Sequence, residues 1–168
     1  LSLLFTLTSN PHRALFFVVP DSVKPWVYRS LPDAWQHANH VNHVNHVLEQ
    51  IPQDASVSST RFMIPALSNR RAVLKMPKIH YVNDQNNPRR VEYVIADIGY
   101  WLPEAEFRRA RDEIRRTVPS IDRLIDRQHY GVVSYEDGIV VLKRGATSDP
   151  EPINEWRSLR RDIEPLLE

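Results

Sequence analysis

Cysteine does not occur among the 168 residues of the chain, and glycine occurs only four times. The lack of cysteine excludes disulfides, thiolate metal sites and thiol catalysis. The glycines form no GxGxxG, GxxxxGKS/T or GxSxG motif, so the common nucleotide-binding and hydrolase fingerprints are absent. We therefore expect no cofactor. No Ser/His/Asp set or carboxylate pair has a spacing that names a catalytic residue.

An excess of charge of one sign is also missing. The chain carries 22 basic and 21 acidic side chains, which gives a formal net charge of +1. Five arginines lie between Arg108 and Arg116, but Glu104, Glu106, Asp112 and Glu113 belong to the same predicted helix. Opposite charges four residues apart are typical of a solvated, self-paired helix face. We therefore expect no nucleic-acid partner.

The N-terminal apolar runs are short. Residues 1–8 and 14–19 are rich in Leu and Phe, but they stay well below the roughly 18 apolar residues that a membrane span requires. One interpretation of residues 1–32 is a segment packed against the core. The other rests on the first residue, Leu1 instead of Met, and reads them as the membrane-proximal segment and connector of a longer protein.

Hydrophobic periodicity predicts helices and strands that alternate along most of the chain. The strongest local signal is Asp137-Gly138 between two apolar runs, which is typical of a type I′ β-hairpin. The predicted helices cover 33–50, 60–67, 104–117 and 120–128, and the predicted strands cover 55–59, 72–76, 91–97, 131–136 and 139–144. Residues 81–90 are predicted as a polar loop, and Val118-Pro119 as a boundary between two helices.

This alternation favours an α/β fold. We expect a layered domain over residues 33–145, with a mixed, mainly parallel central sheet, a C-terminal antiparallel hairpin and flanking helices. Residues 146–168 are predicted as a linker, at 146–152, and a short terminal helix around Trp156.

Four histidines recur every third residue from His37 to His46. Neighbouring imidazoles one helical turn apart can share a metal ion, which makes His40 and His43 candidate ligands. Each three-residue step turns about 300° around a helix, however, so the four side chains spread over half its circumference. The alternative is a partly solvated helix face.

Ser59, Thr60, Arg61 and Asp97 lie where two predicted strands end. If these strands are parallel, the four residues share the sheet edge at which open α/β sheets bind ligands. A helix N-terminus with an arginine nearby could hold an anion there. The alternative is that Ser59 or Thr60 caps a short helix and Asp97 merely ends a strand.

The most distinctive motif is a block between Ile51 and Pro77. It comprises Ile51-Pro-Gln-Asp-Ala-Ser-Val-Ser-Ser-Thr60, Ile64-Pro-Ala-Leu-Ser-Asn-Arg-Arg71 and Met76-Pro77. The block resembles the soluble C-terminal region of a bacterial family of predicted polytopic membrane proteins, the domain-of-unknown-function family 2079. Residues 91–97 and 130–144 look like later strands of that family, so the resemblance covers about residues 1–145.

The resemblance implies a parent chain embedded in a bacterial membrane and similar to multi-span glycosyltransferases that use lipid-linked sugars. Catalytic carboxylates of such enzymes lie in loops between the spans, outside a chain like this one. The resemblance therefore implies a non-catalytic accessory domain, on the extracytoplasmic side, whose partner is the membrane-spanning part of the parent chain. The small-ligand or anion-binding domain described above is the alternative.

Four residues of this chain match the motif: Asp54, Ser56, Arg70 and Arg71. Their simplest roles are structural, because Asp54 can accept backbone N–H bonds in a turn and the arginines can bind the carbonyls that close the short helix. The family often has histidine where this chain has Ala66, so no role of that imidazole carries over.

Overall fold

The computed structural model describes residues 39–167, and residues 42–168 form one compact unit. The predictions for the membrane-proximal segment 1–32, for His37 and for the first part of helix 33–50 lie outside the described residues.

Helices and strands alternate through most of the described chain. Helix α1 covers residues 39–49, α2 Arg108–Arg127, α3 Pro150–Asp162 and α4 Glu164–Leu167. The strands are β1 Val57–Ser59, β2 Val73–Lys75, β3 His80–Val82, β4 Pro88–Arg90, β5 Tyr93–Asp97, β6 Tyr130–Glu136 and β7 Ile139–Arg144. Three 3₁₀ turns lie at Arg61–Met63, Pro65–Leu67 and Leu102–Glu104.

Five strands form a mixed sheet in the order β2-β1-β5-β7-β6. Strand β1 pairs in parallel with both β2 and β5. Strand β7 pairs antiparallel with β5 and β6. The predicted α/β fold with a mixed sheet and a C-terminal antiparallel hairpin is confirmed.

Both faces of this sheet are covered. On β5, Val94 and Ala96 belong to one buried cluster, and Ile95 belongs to the other, as the period of two in a strand requires. The first cluster includes the apolar stripe of α2 and Trp156 of α3. The second includes Val47 of α1. The sheet is therefore the middle of three layers, which explains the almost continuous apolar run in β5.

The turn between β6 and β7 has the type I′ geometry that the sequence predicts. Asp137 and Gly138 both have positive φ, at 49° and 80°. The carbonyl of Gly138 accepts a hydrogen bond from the backbone N–H of Ile98 at 2.9 Å. A Cβ atom at Gly138 would lie 2.7 Å from the backbone of Gly99, so close approach also requires glycine here.

The predicted helix boundary at Val118-Pro119 is wrong. One helix, α2, runs through this point with Pro119 inside it. Its buried face continues across the proline, because Val118, Ile121 and Leu124 all lie in the first cluster. Burial of this apolar face of α2 outweighs two costs: the hydrogen bond that proline cannot donate, and the unfavourable helical conformation of the residue before it. The same helix begins at Arg108, and Glu104 ends a separate 3₁₀ turn.

Three other local predictions need correction. Residues 81–90 are not a plain loop, because β3 and β4 pair antiparallel as a separate two-stranded sheet. Each of its strands has only three residues, which is too short to show the alternation that identifies a strand. The predicted linker 146–152 overlaps the start of α3, where Pro150 occupies the first turn. Residues 60–67 form two 3₁₀ turns instead of one short helix.

Candidate functional site

The carboxyl ends of β1 and β5 lie side by side, as the parallel pairing of these strands requires. Thr60 follows β1 directly, and its Oγ1 accepts a hydrogen bond from the backbone N–H of Asp97 at 3.3 Å. The carboxylate of Asp97 accepts a bond from the backbone N–H of Tyr100 at 2.9 Å. Both side chains are buried. Two of the four predicted ligand-binding residues are thus brought together, and they bind backbone groups of the edge itself.

Ser59 and Arg61 occupy different surroundings at the same edge. Ser59 is fully buried, and its Oγ donates to the carbonyl of Thr60 at 3.3 Å. Arg61 is exposed and begins a 3₁₀ turn. Thr60 stands at the N-cap position of this turn without making a side-chain capping bond. Its hydroxyl therefore joins the two strand ends instead of capping the turn.

Aromatic side chains lie beside this edge. Phe62 stacks on Tyr100 with ring centroids 4.1 Å apart, and Trp101 contacts both rings edge-on at 5.1 Å. Phe62 keeps 41% of its surface exposed. Sequence reasoning missed this cluster, although its signal was present: each aromatic residue follows closely on the end of one of two neighbouring parallel strands.

Two histidines of α1 contact a carboxylate at the end of β6. His43 Nδ1 lies 2.5 Å from Glu136 Oε1, and His46 Nδ1 lies 2.7 Å from Glu136 Oε2. His40, one of the two predicted metal ligands, is half-buried one turn before His43. Within residues 39–167, no three histidine or carboxylate side chains are arranged so that they could hold a metal ion. A site at His40 and His43 thus gains no third protein ligand from the described residues.

A polar cleft of about 340 Å³ opens at the opposite edge of the sheet. One wall comes from residues that immediately precede β1, β2 and β5, and the other comes from the β3–β4 hairpin. The lining residues are Asp54, Ser56, Arg71, Ala72, Tyr81, Val82, Asn83, Asp84, Gln85 and Glu92. The volume is at the lower end of the range for small-molecule sites, which is roughly 300–1,000 Å³.

Hydrogen bonds fix both walls of this cleft. Ser56 is buried, and its Oγ accepts the backbone N–H of Glu92 at 3.1 Å, which fastens the start of β5 to β1. In the hairpin turn, Asn83 Oδ1 accepts the backbone N–H of Asn87 at 2.8 Å. Arg71 pairs with Asp84 across the opening. The cleft is therefore largely pre-formed.

The charge of the cleft is negative. Asp54, Asp84 and Glu92 contribute three carboxylates, and Arg71 contributes one guanidinium. A lining with two more negative than positive charges disfavours an anion and suits a neutral or cationic polar molecule. The tyrosine, the serine and the two amides add hydrogen-bonding groups that would orient such a molecule.

Three motif residues, Asp54, Ser56 and Arg71, line this cleft, whereas Arg70 has a structural position. The guanidinium of Arg70 donates to the carbonyls of Ile51 and Pro52, just after α1, and not to those of the short turn that sequence reasoning assigned to it. Burial lowers the pKa of Arg70, and the Asp54 carboxylate partly opposes this shift. The sequence does not reveal the cleft, because its second wall is a hairpin whose residues have the pattern of a polar loop.

Comparison with known proteins gives one match. A family model described as "Predicted membrane protein (DUF2079)" matches residues 1–141. No curated protein and no solved structure matches the chain. Among the described residues, no helix has both the length and the apolar character needed to cross a membrane.

Proposed function

Because the chain belongs to the DUF2079 family of predicted membrane proteins, we propose that it is a non-catalytic accessory domain of a longer, multi-span membrane protein. The match over residues 1–141 is the observation that carries this proposal. Under this proposal, the partner of the domain is the membrane-spanning part of its own parent chain. The parent lies in a bacterial membrane, and the domain lies on the extracytoplasmic side.

The proposal extends to the chemistry of the parent. The motif between Ile51 and Pro77 resembles that of a family similar to glycosyltransferases that use lipid-linked sugars. The parent would then transfer a sugar through carboxylates in its membrane part, and this domain would pack on that part or gate it.

The gene tests the first part of the proposal directly. Sequencing upstream of Leu1 is expected to show several segments of at least about 18 apolar residues each. An open reading frame that begins at or near Leu1, without such segments, contradicts the proposal. Fusion of alkaline phosphatase after Glu168 of the full-length parent is expected to give active enzyme, and an inactive fusion would place the domain in the cytoplasm.

A deletion in the full-length parent tests the accessory role. Removal of residues 42–168 is expected to change the rate of sugar transfer from a lipid-linked donor without abolishing it. Complete loss of transfer, with the truncated protein still present in the membrane, would assign a catalytic contribution to this domain. If the intact parent transfers no sugar, the glycosyltransferase part is wrong and the accessory role stands.

A second candidate function is the binding of a small molecule, and the polar cleft favours it. The cleft is pre-formed, has the volume of a small-ligand site and carries negative charge. NMR titration of the chain with putrescine and with glucose is expected to shift the amide signals of Ser56 and Glu92. Inorganic phosphate is the probe for the other edge, where an anion would shift those of Thr60 and Arg61. If no probe shifts either set, this second function is wrong.

A further inference from the structure

Two histidines of α1 bind the same carboxylate. His43 and His46 are three residues apart, so they lie on one face of the helix. Glu136 is the last residue of β6, 93 residues after His43 and 90 after His46. Each imidazole contacts a different oxygen of this carboxylate, at 2.5 Å and 2.7 Å. This set of three side chains, the histidine clamp, joins the helix to the β6–β7 turn.

The three side chains of the clamp are exposed to solvent, whereas the elements that carry them are held in place by the hairpin and the core. The side chains of His43, His46 and Glu136 are 40%, 63% and 27% exposed, so protons exchange freely with them. Glu136 is held in place by the β6–β7 hairpin, in which it pairs with Ile139. Val47 of α1 is fully buried in the second cluster and anchors the helix beside the clamp. A proton can therefore change the clamp without entering the core.

We propose that the histidine clamp is a pH-dependent contact. It holds α1 against the β6–β7 turn in weakly acidic conditions and releases the histidine-bearing part of α1 in alkaline conditions. Neutral imidazole keeps at most one hydrogen bond to the carboxylate, whereas imidazolium adds charge to that bond. Because two imidazoles share one carboxylate, both contacts of the helix depend on Glu136. This device goes beyond the accessory role proposed above and does not depend on it.

The groups around the clamp set its working range. The hydrogen bond to Glu136 and its negative charge raise the pKa of His46 above its ordinary 6.5, with a smaller contribution from Glu49 on the same helix. The hydrogen bonds from His46 and His43 lower the pKa of Glu136 below its ordinary 4.5. The other titratable groups near in sequence are His40 on α1, Tyr135 on β6 and Asp137 in the turn, and burial raises the pKa of Tyr135 above its ordinary 10.0.

These directions define a pH window. A histidine whose pKa is raised in the folded state stabilises the contact below its unfolded pKa, and this contribution is lost as the pH rises through the folded value. A carboxylate whose pKa is lowered contributes above its unfolded pKa, and this contribution is lost as the pH falls through the folded value. The clamp is therefore strongest between pH 4.5 and pH 6.5, and the contribution of His46 is lost as the pH rises from 6.5 through its raised pKa.

Hydrogen exchange of the 168-residue chain tests the proposal. Protection factors, already corrected for the intrinsic exchange rate, are measured for the amides of residues 43–49 at about pH 5.5 and about pH 8. We expect these protection factors to fall about three- to tenfold at the higher pH, because two solvent-exposed ion pairs contribute only modestly to stability. In Glu136→Gln they are expected to be low and equal at both pH values. Glu106→Gln, an exposed carboxylate elsewhere, is the matched control and should behave like the wild type.

A second measurement keeps the test decisive if Glu136→Gln disturbs the hairpin. In the wild type, NMR titration should place the midpoint of His46 above 6.5, and in His43→Gln the midpoint should stay raised because Glu136 is still present. Protection of residues 43–49 that does not change with pH overturns the proposal. An identical pH dependence in Glu136→Gln and the wild type also overturns it.

Discussion

Two adjacent arginines show how strongly the role of a residue depends on its partners. Arg70 is half-buried, and its guanidinium donates two hydrogen bonds to the carbonyls of Ile51 and Pro52. Arg71 is 81% exposed and pairs with Asp84 in the hairpin turn. The first arginine uses its planar fork to close the end of α1, and the second forms a surface ion pair at the cleft.

Substitution of each arginine by lysine separates these roles. Arg70→Lys keeps the charge but loses the fork, so one backbone carbonyl loses its donor, and the free energy of unfolding should fall by about 1–2 kcal/mol. Arg71→Lys, the matched control, should change it by about 0.5 kcal/mol or less, because exposed pairs contribute little. Urea unfolding followed by circular dichroism measures both. Equal losses in the two variants would contradict the structural role of Arg70.

The sequence predicts the type of bond that Arg70 makes but not its partners. An arginine after a short turn is expected to bind nearby carbonyls, which predicts those of the turn itself as acceptors. The observed acceptors lie 18 and 19 residues earlier in the chain. Only the packing of α1 beside the 3₁₀ turns places them within reach, and no local pattern encodes that packing.

At the scale of elements, α2 shows how burial overrides a local helix-breaking signal. Pro119 is exposed, while Val118 before it and Ile121 after it are fully buried. Proline has no N–H to donate to the carbonyl of Arg115, four residues earlier, and its ring crowds that turn. The helix continues because burial of its apolar face against the sheet offsets these costs.

Replacement of this proline should stabilise the protein. Pro119→Ala restores the backbone N–H and removes the crowding, which outweighs the added entropy of the unfolded chain. The free energy of unfolding should rise by about 1–2 kcal/mol. Pro150→Ala is the matched control, because Pro150 begins α3, where proline is favoured, and the variant should be unchanged or slightly less stable. Thermal unfolding measures both; a less stable Pro119→Ala would show that the ring contributes packing.

The two hairpins explain why one was predicted and the other was missed. The β6–β7 hairpin is encoded locally, because Asp137 and Gly138 accept positive φ between two apolar runs. The β3–β4 hairpin turns around Asn86, which also has a positive φ of 59°. Its strands, however, have only three residues each, which is too short to show the strand period.

At the scale of the whole molecule, the parallel pairing of β1 and β5 decides which candidate residues meet. The general rule for parallel strands placed Thr60 and Asp97 at one edge, and the structure confirms that they contact each other. The same pairing brings Ser56 and Glu92 together at the other edge, where the cleft lies. The sequence contained the residues of the cleft, but the cleft itself needs the hairpin that packs over them from elsewhere in the chain.

The C-terminal helices extend the domain beyond the family match, which ends at residue 141. Trp156 of α3 is 2% exposed and lies in the same cluster as the stripe of α2. Its indole Nε1 donates to Asp122 at 3.3 Å, so it fastens α3 to α2. Ile153, Trp156 and Ile163 belong to the core, so α3 packs on it and is not an appendage.

Truncation of this side chain tests whether the tail shares the cooperative core. Trp156→Ala should lower the free energy of unfolding by about 3–5 kcal/mol, because it leaves a large cavity and removes the donor to Asp122. Arg157→Ala, at the exposed neighbouring position, is the matched control and should change it by about 0.5 kcal/mol or less. The two variants are compared by urea unfolding, with near-ultraviolet circular dichroism reporting the core. If Trp156→Ala unfolds at the same urea concentration as Arg157→Ala, α3 and α4 lie outside the cooperative core and β7 is its last element.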